Sequence, residues 1–122
     1  MAHGQITHIE FPADDTDRAR RFYSELFGWE FNAMEGFDGY FMFNTGSAEA
    51  IGGAVGGRGN SVGERTRPYI ETDSIEAVLA RVPELGGRVV TGKTDIPGQG
   101  SFAVIHDSEG NELGLFEGLP QG

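Results

Sequence analysis

Polar and apolar side chains alternate from Gln5 to Phe11, with Ile9 and Phe11 facing one way and His8 and Glu10 the other, so this stretch reads as a strand. Pro12 is expected to end it, and Asp14 or Asp15 can cap a helix beyond it. The apolar spacing then lengthens to three and four, at Ala19, Phe22, Tyr23, Leu26 and Phe27, with Arg18, Arg20, Arg21 and Glu25 on the other side. That period predicts an amphipathic helix, stopped by Gly28. Trp29-Glu30-Phe31, Tyr40 to Phe43 and Ile51 to Val55 read as three further strands separated by glycine-rich turns. The order is β-α-β-β-β.

About sixty residues later the same order returns. Pro68 to Thr72 is a strand whose Tyr69-Ile70-Glu71 echoes His8-Ile9-Glu10. Asp73 or Ser74 caps a helix carrying Ile75, Val78, Leu79, Val82 and Leu85, and Gly86-Gly87 terminates it. Pro83 falls inside that pattern and should shorten or kink its last turn. Arg88 to Thr91, Phe102 to His106 and Glu112 to Phe116 supply three more strands, with Asp107 to Asn111 as the turn between the last two. The chain therefore reads as one α+β domain over 1–122, made of two βαβββ modules with curved mixed sheets around a cleft. The first covers about 5–56, a glycine-rich linker 57–66, and the second about 67–117.

Composition narrows the function classes. Asp+Glu number 19 against Lys+Arg 9, a formal net charge of -10 that repels nucleic acid. The same charge serves solubility or the attraction of a cationic ligand. With Cys 0 there is no disulfide, thiolate metal site or cysteine nucleophile. No apolar run reaches the ~18 residues of a membrane span, and the first residues lack the apolar stretch of a signal peptide. A cytoplasmic location and no membrane partner are the expectation.

A strand opening on His8, an acidic turn, a helix reading Arg-Ala-Arg-Arg-Phe-Tyr-Ser-Glu-Leu-Phe-Gly-Trp, a duplicate half and a closing Asp-Ser-Glu-Gly-Asn-Glu-Leu-Gly-Leu-Phe together resemble the vicinal oxygen chelate superfamily. That group contains glyoxalase I, extradiol dioxygenases, fosfomycin-resistance enzymes and bleomycin-resistance proteins. The resemblance implies a divalent metal held by one His or Glu from each of four strands, two per module. Only the first position matches: His8 stands fifteen residues before Tyr23, as in glyoxalase-like sequences. The second falls in Ile51-Gly52-Gly53-Ala54, the third on Arg67 counting back from Asp73 or on Tyr69 by the internal repeat, and the fourth on Gly114. Imidazole or carboxylate ligands are required for such cations, so no metal and no cofactor are expected here.

What remains points to a binding surface. By alternation Arg67, Tyr69 and Glu71 share the face that corresponds to His8 and Glu10, while Ile70 and Thr72 face the helices. His8, Glu10, Arg67, Tyr69 and Glu71, with Phe41, Phe102 and Phe116 as aromatic wall, are the candidate ligand-binding residues. Each has a structural reading too: His8 satisfied by Glu10, Arg67 and Glu71 an ion pair at a module edge, the phenylalanines core. In the ligand-binding reading Tyr69→Ala trims a cavity wall and Ile70→Ala opens a void in the core. The function expected is metal-independent binding of a small hydrophobic or aromatic molecule by a homodimer. The alternative is a glyoxalase-like lyase or isomerase, or a dioxygenase, with metal at shifted ligands or metal-free acid-base chemistry through His8 and Glu10 or Glu71. No catalytic residue is assigned.

Overall fold

A computed structural model describes residues 3–120. Eight strands and two α-helices occur in the expected doubled order: β1 (Ile6–Ala13), α1 (Thr16–Phe27), β2 (Glu30–Ala33), β3 (Tyr40–Asn44), β4 (Gly52–Gly57), β5 (Arg67–Glu71), α2 (Ile75–Arg81), β6 (Arg88–Ile96), β7 (Gly100–His106) and β8 (Glu112–Gly118). The chain divides into two compact units, His8–Arg67 and a second formed by Pro68 onward together with the described residues up to Thr7. The N-terminal residues join the second unit through backbone bonds, Gly4 N–H to Glu71 C=O at 2.8 Å and Glu71 N–H to Gln5 C=O at 2.9 Å.

In the first unit the strand order is β2-β3-β4-β1, with β1 parallel to β4 and the other pairs antiparallel. Asp15 rather than Asp14 caps α1, accepting from Arg18 N–H at 3.0 Å. Gly28 ends the helix in the left-handed region, φ 74°, where a side chain would be strained. Pro12 does not end β1. The strand continues to Ala13 because proline's fixed φ suits extended backbone, and its place on β1 still pairs with Gly56 of β4. The core is aromatic: Trp29 stacks on Phe43 at 4.2 Å and on Tyr23 at 4.9 Å, with Phe11 tilted against all three.

The expected linker 57–66 is packed onto the first unit. Arg58 N–H donates to Ala13 C=O at 2.9 Å, and the Ser61 hydroxyl donates to Gly39 C=O at 2.9 Å while accepting from Gly57 N–H at 2.8 Å. These hydrogen bonds, rather than slack, define the segment.

The second unit orders its strands β5-β8-β7-β6, with β5 parallel to β8. Ser74 caps α2, accepting from Ala77 N–H at 3.2 Å. Glu117 of β8 adds a second cap, accepting from Ile75 N–H at 2.8 Å. The helix stops at Arg81, and Pro83 opens a 3₁₀ turn over Pro83–Leu85, which is how the proline shortens the helical run. Ile75, Val82, Ala103, Ile105 and Leu115 form the core, with Ile70, Val78, Leu79, Val89 and Leu113 packed around them. β6 runs five residues past the expected Thr91 to Ile96, and its pairing with β7 is irregular on either side of Thr91.

Candidate functional site

Sheet register decides which side chains meet. In the first unit Glu10, Ala54 and Met42 lie in one row across β1, β4 and β3, and Pro12, Gly56 and Tyr40 in another. Neighbouring residues in a row share a face, so His8, Glu10, Tyr40 and Met42 stand on the side away from the aromatic core. The middle strand carries only Gly52, Ala54 and Gly56 on that side. A side chain from β3 can therefore lie across β4 and reach β1.

Tyr40 does so. Its hydroxyl donates to Glu10 Oε2 at 2.8 Å and lies 2.8 Å from His8 Nε2. A phenol has one hydrogen, so with that hydrogen on Glu10 it is His8 Nε2–H that donates to Tyr40. Arg67, the last residue of this unit, places Nη1 3.5 Å from Glu10 Oε1, with side-chain exposures of 13% and 9%. The buried carboxylate is thereby paired and hydrogen-bonded. Burial pulls the His8 pKa below its ordinary 6.5, because removing water penalises the imidazolium. The result is a chain of four polar groups in which His8 is neutral at pH 7.

The structure brings some of the candidate residues together and separates others. His8, Glu10 and Arg67 come together, and Arg67 pairs with Glu10. Phe41 does not join them, because it is next to Tyr40 in β3 and shares a row with Val55 and Phe11 on the helix side. There the Arg20 guanidinium lies over its ring at 3.8 Å. Tyr40, absent from the expected set, is the central residue. Strand alternation alone could have put it on the correct face, but only the β3–β4 register shows that it reaches His8.

In the second unit Tyr69 sits opposite Gly114 and Val104, while Glu71, Phe116 and Phe102 form the adjacent row across β5, β8 and β7. These four candidates share the face away from α2, whereas Ile70, Leu115 and Ala103 pack toward it. Tyr69 is not an open wall. It is 7% exposed, and a Cβ built on Gly114 would fall 2.3 Å from two atoms of its ring. The ring fills the space that the glycine leaves.

The donor set does not fit the metal implied by the resemblance. His8 is tied to Tyr40, the β4 positions are glycine and alanine, Arg67 is a cation, and a side chain at 114 would collide with Tyr69. Among the described residues no group of three or more His, Cys, Asp or Glu is placed to hold a metal ion. A separate cavity of about 310 Å³ lies by the end of α2, lined by Val78, Arg81, Val82, Leu85, Ile105 and His106 among others. None of the candidate residues borders it. Among the described residues no helix is long and apolar enough to cross a membrane.

A family model for the bleomycin resistance protein-like N-terminal region matches residues 5–46. A glyoxylase-like domain-containing protein of Didymella fabae is 34% identical over 117 residues, covering 91% of each chain. CFP32 of Mycobacterium bovis, which carries a glyoxylase name, is 30% identical over 97% of this chain, yet the chain spans only 46% of that protein's length. Among solved structures, a glyoxalase/bleomycin resistance protein/dioxygenase superfamily member from Vibrio splendidus superposes with TM-score 0.67 at 11% identity, covering 93% of this chain and 98% of the other. Methylmalonyl-CoA epimerase from Mycobacterium tuberculosis gives TM-score 0.65 at 20% identity, covering 96% and 89%. With the doubled βαβββ order, these likenesses show that the chain belongs to the vicinal oxygen chelate superfamily and has its glyoxalase/bleomycin resistance fold.

Proposed function

We propose that this protein binds a small, neutral, hydrophobic or aromatic molecule without a metal. The observation that carries the reading is the paired Glu10–Arg67 couple beneath Tyr40 and His8. An unpaired arginine would favour a carboxylate or phosphate, but this guanidinium already faces a carboxylate, so the anchor as a whole is close to neutral. The net charge of -10 further disfavours anions. Phe102 and Phe116, a direct cross-strand pair, supply aromatic surface on the corresponding face of the second unit. Homodimerisation belongs to the same proposal, since the exposed Phe22, Leu26 and Phe27 of α1 give the chain apolar surface to cover.

The test is a thermal-shift screen of neutral aromatic compounds against chelator-treated protein, then NMR of the histidine rings. Ligands that raise the melting temperature and move the His8 ring signals support the reading. It fails if one equivalent of divalent metal binds and is lost in His8→Ala, or if every stabilising compound leaves His8 unmoved.

The second reading is an enzyme using metal-free proton transfer. It draws on the neutral, Tyr40-bonded His8, which has the protonation state of a base at pH 7. The M. bovis relative and the M. tuberculosis structural neighbour carry enzyme names, which favours catalysis of some kind. Deuterium exchange into a bound carbon acid, abolished in His8→Gln, would favour it over simple binding.

A further inference from the structure

Gly114 lies in β8 with ordinary extended backbone, which any residue could adopt. Conformation therefore does not explain why this position has no side chain. Its surroundings do: an added Cβ would sit 2.3 Å from Cδ2 and Cε2 of Tyr69 and 2.6 Å from Cζ, on a rigid ring that is itself buried. In the first unit a Cβ on Gly56 would instead meet Val62 at 2.6 Å and Ser61 at 2.9 Å, with Cδ2 of Tyr40 at an ordinary 3.4 Å. The hydroxyl of that second tyrosine engages His8 Nε2. Each unit thus uses a tyrosine where the superfamily resemblance leads one to look for metal ligands.

We infer that each unit, taken by itself, has a tyrosine in place of a family metal ligand: in the second the Tyr69 ring takes the volume a ligand side chain at 114 would need, and in the first the Tyr40 hydroxyl holds the nitrogen of His8. The inference rests on the metal-independent reading and adds a cause to it. The absence of a ligand at 114 is then a packing property of the second unit, and a carboxylate cannot be placed there while the Tyr69 ring occupies the space. Tyr69 and Gly114 must change together.

The experiment is a double-mutant cycle read by urea midpoint, with nickel and zinc uptake measured on each folded variant. Gly114→Glu should lower the midpoint sharply in the wild-type background. In the Tyr69→Ala background, where the ring is gone, the same change should leave the midpoint unchanged or raise it. Gly114→Ala, which adds only the Cβ, replaces Gly114→Glu if the latter does not fold, and Tyr69→Leu replaces Tyr69→Ala. Wild type should take up no stoichiometric nickel or zinc. Equal falls in both backgrounds would show that the ring does not fill the position and would overturn the inference while leaving metal independence intact. One equivalent of metal on wild type, lost in His8→Ala, would overturn both.

Discussion

The hydroxyl of Tyr40 lies 2.8 Å from Nε2 of His8, joining β3 to β1 across the intervening β4. The contact exists because β4 presents only glycine and alanine on that face, so the phenol ring crosses it unobstructed. Through its single hydrogen the same hydroxyl serves Glu10, and the energetics of the buried carboxylate pass through Tyr40 as well as through Arg67.

Tyr40→Phe should therefore destabilise the protein by about 1–3 kcal/mol, the usual cost of withdrawing a partner from buried polar groups. Urea denaturation measures it. A variant as stable as wild type would mean that the hydroxyl contributes nothing to holding Glu10 and His8.

His8 predicts the shape of the acid limb of stability. Its folded-state pKa lies below 6.5, because burial disfavours the imidazolium. As pH falls below 6.5 the unfolded chain takes up this proton first, so stability is lost progressively down to the folded pKa and is unaffected above 6.5. His8→Gln keeps an N–H donor for Tyr40 but cannot titrate. The difference in stability between the two proteins should be flat from about pH 7 to 8 and change in favour of His8→Gln as the pH drops toward about 5. A difference that stays constant over the whole range would contradict a buried neutral histidine.

Ile70→Ala and Tyr69→Ala should both be costly. Ile70 packs against the core under α2, and its truncation should cost about 2–5 kcal/mol. For Tyr69 the sequence pattern suggests a trimmed cavity wall, but its ring is buried against Gly114, so truncation should cost on the order of 3 kcal/mol. Tyr69→Phe, which keeps the ring, should cost much less than Tyr69→Ala. Chemical denaturation of the three variants decides the matter, and a Tyr69→Ala protein as stable as wild type would restore the open-wall reading.

Light scattering in the micromolar range should give the mass of two chains. α1 presents Phe22, Leu26 and Phe27 at 55%, 61% and 60% exposure, and Leu26→Glu should shift the equilibrium toward single chains if that surface is the covered one. A single-chain mass for wild type at all concentrations would remove the dimer from the proposal.

The sequence alone determined the doubled β-α-β-β-β order, the capped amphipathic helices and the face of each strand on which a residue stands. Side-chain period and capping chemistry are local properties, written within a few residues of where they act. That is why alternation assigns Ile70 to the helix side and His8 with Glu10 to the opposite one, as the structure has them. It is also why Phe41 is misplaced only by ignoring the alternation that its neighbour Tyr40 obeys. Local pattern failed at Pro12, where pairing with β4 carried the strand on, and at 57–66, where hydrogen bonds from Arg58 and Ser61 hold the segment to the first unit instead of leaving a tether. Tertiary structure alone decided that Tyr40 reaches His8, that Arg67 meets Glu10, and that Tyr69 closes over Gly114. Those contacts depend on the register between strands that are distant in sequence. Register is fixed by the packing of whole sheets, and no periodicity within one strand records it.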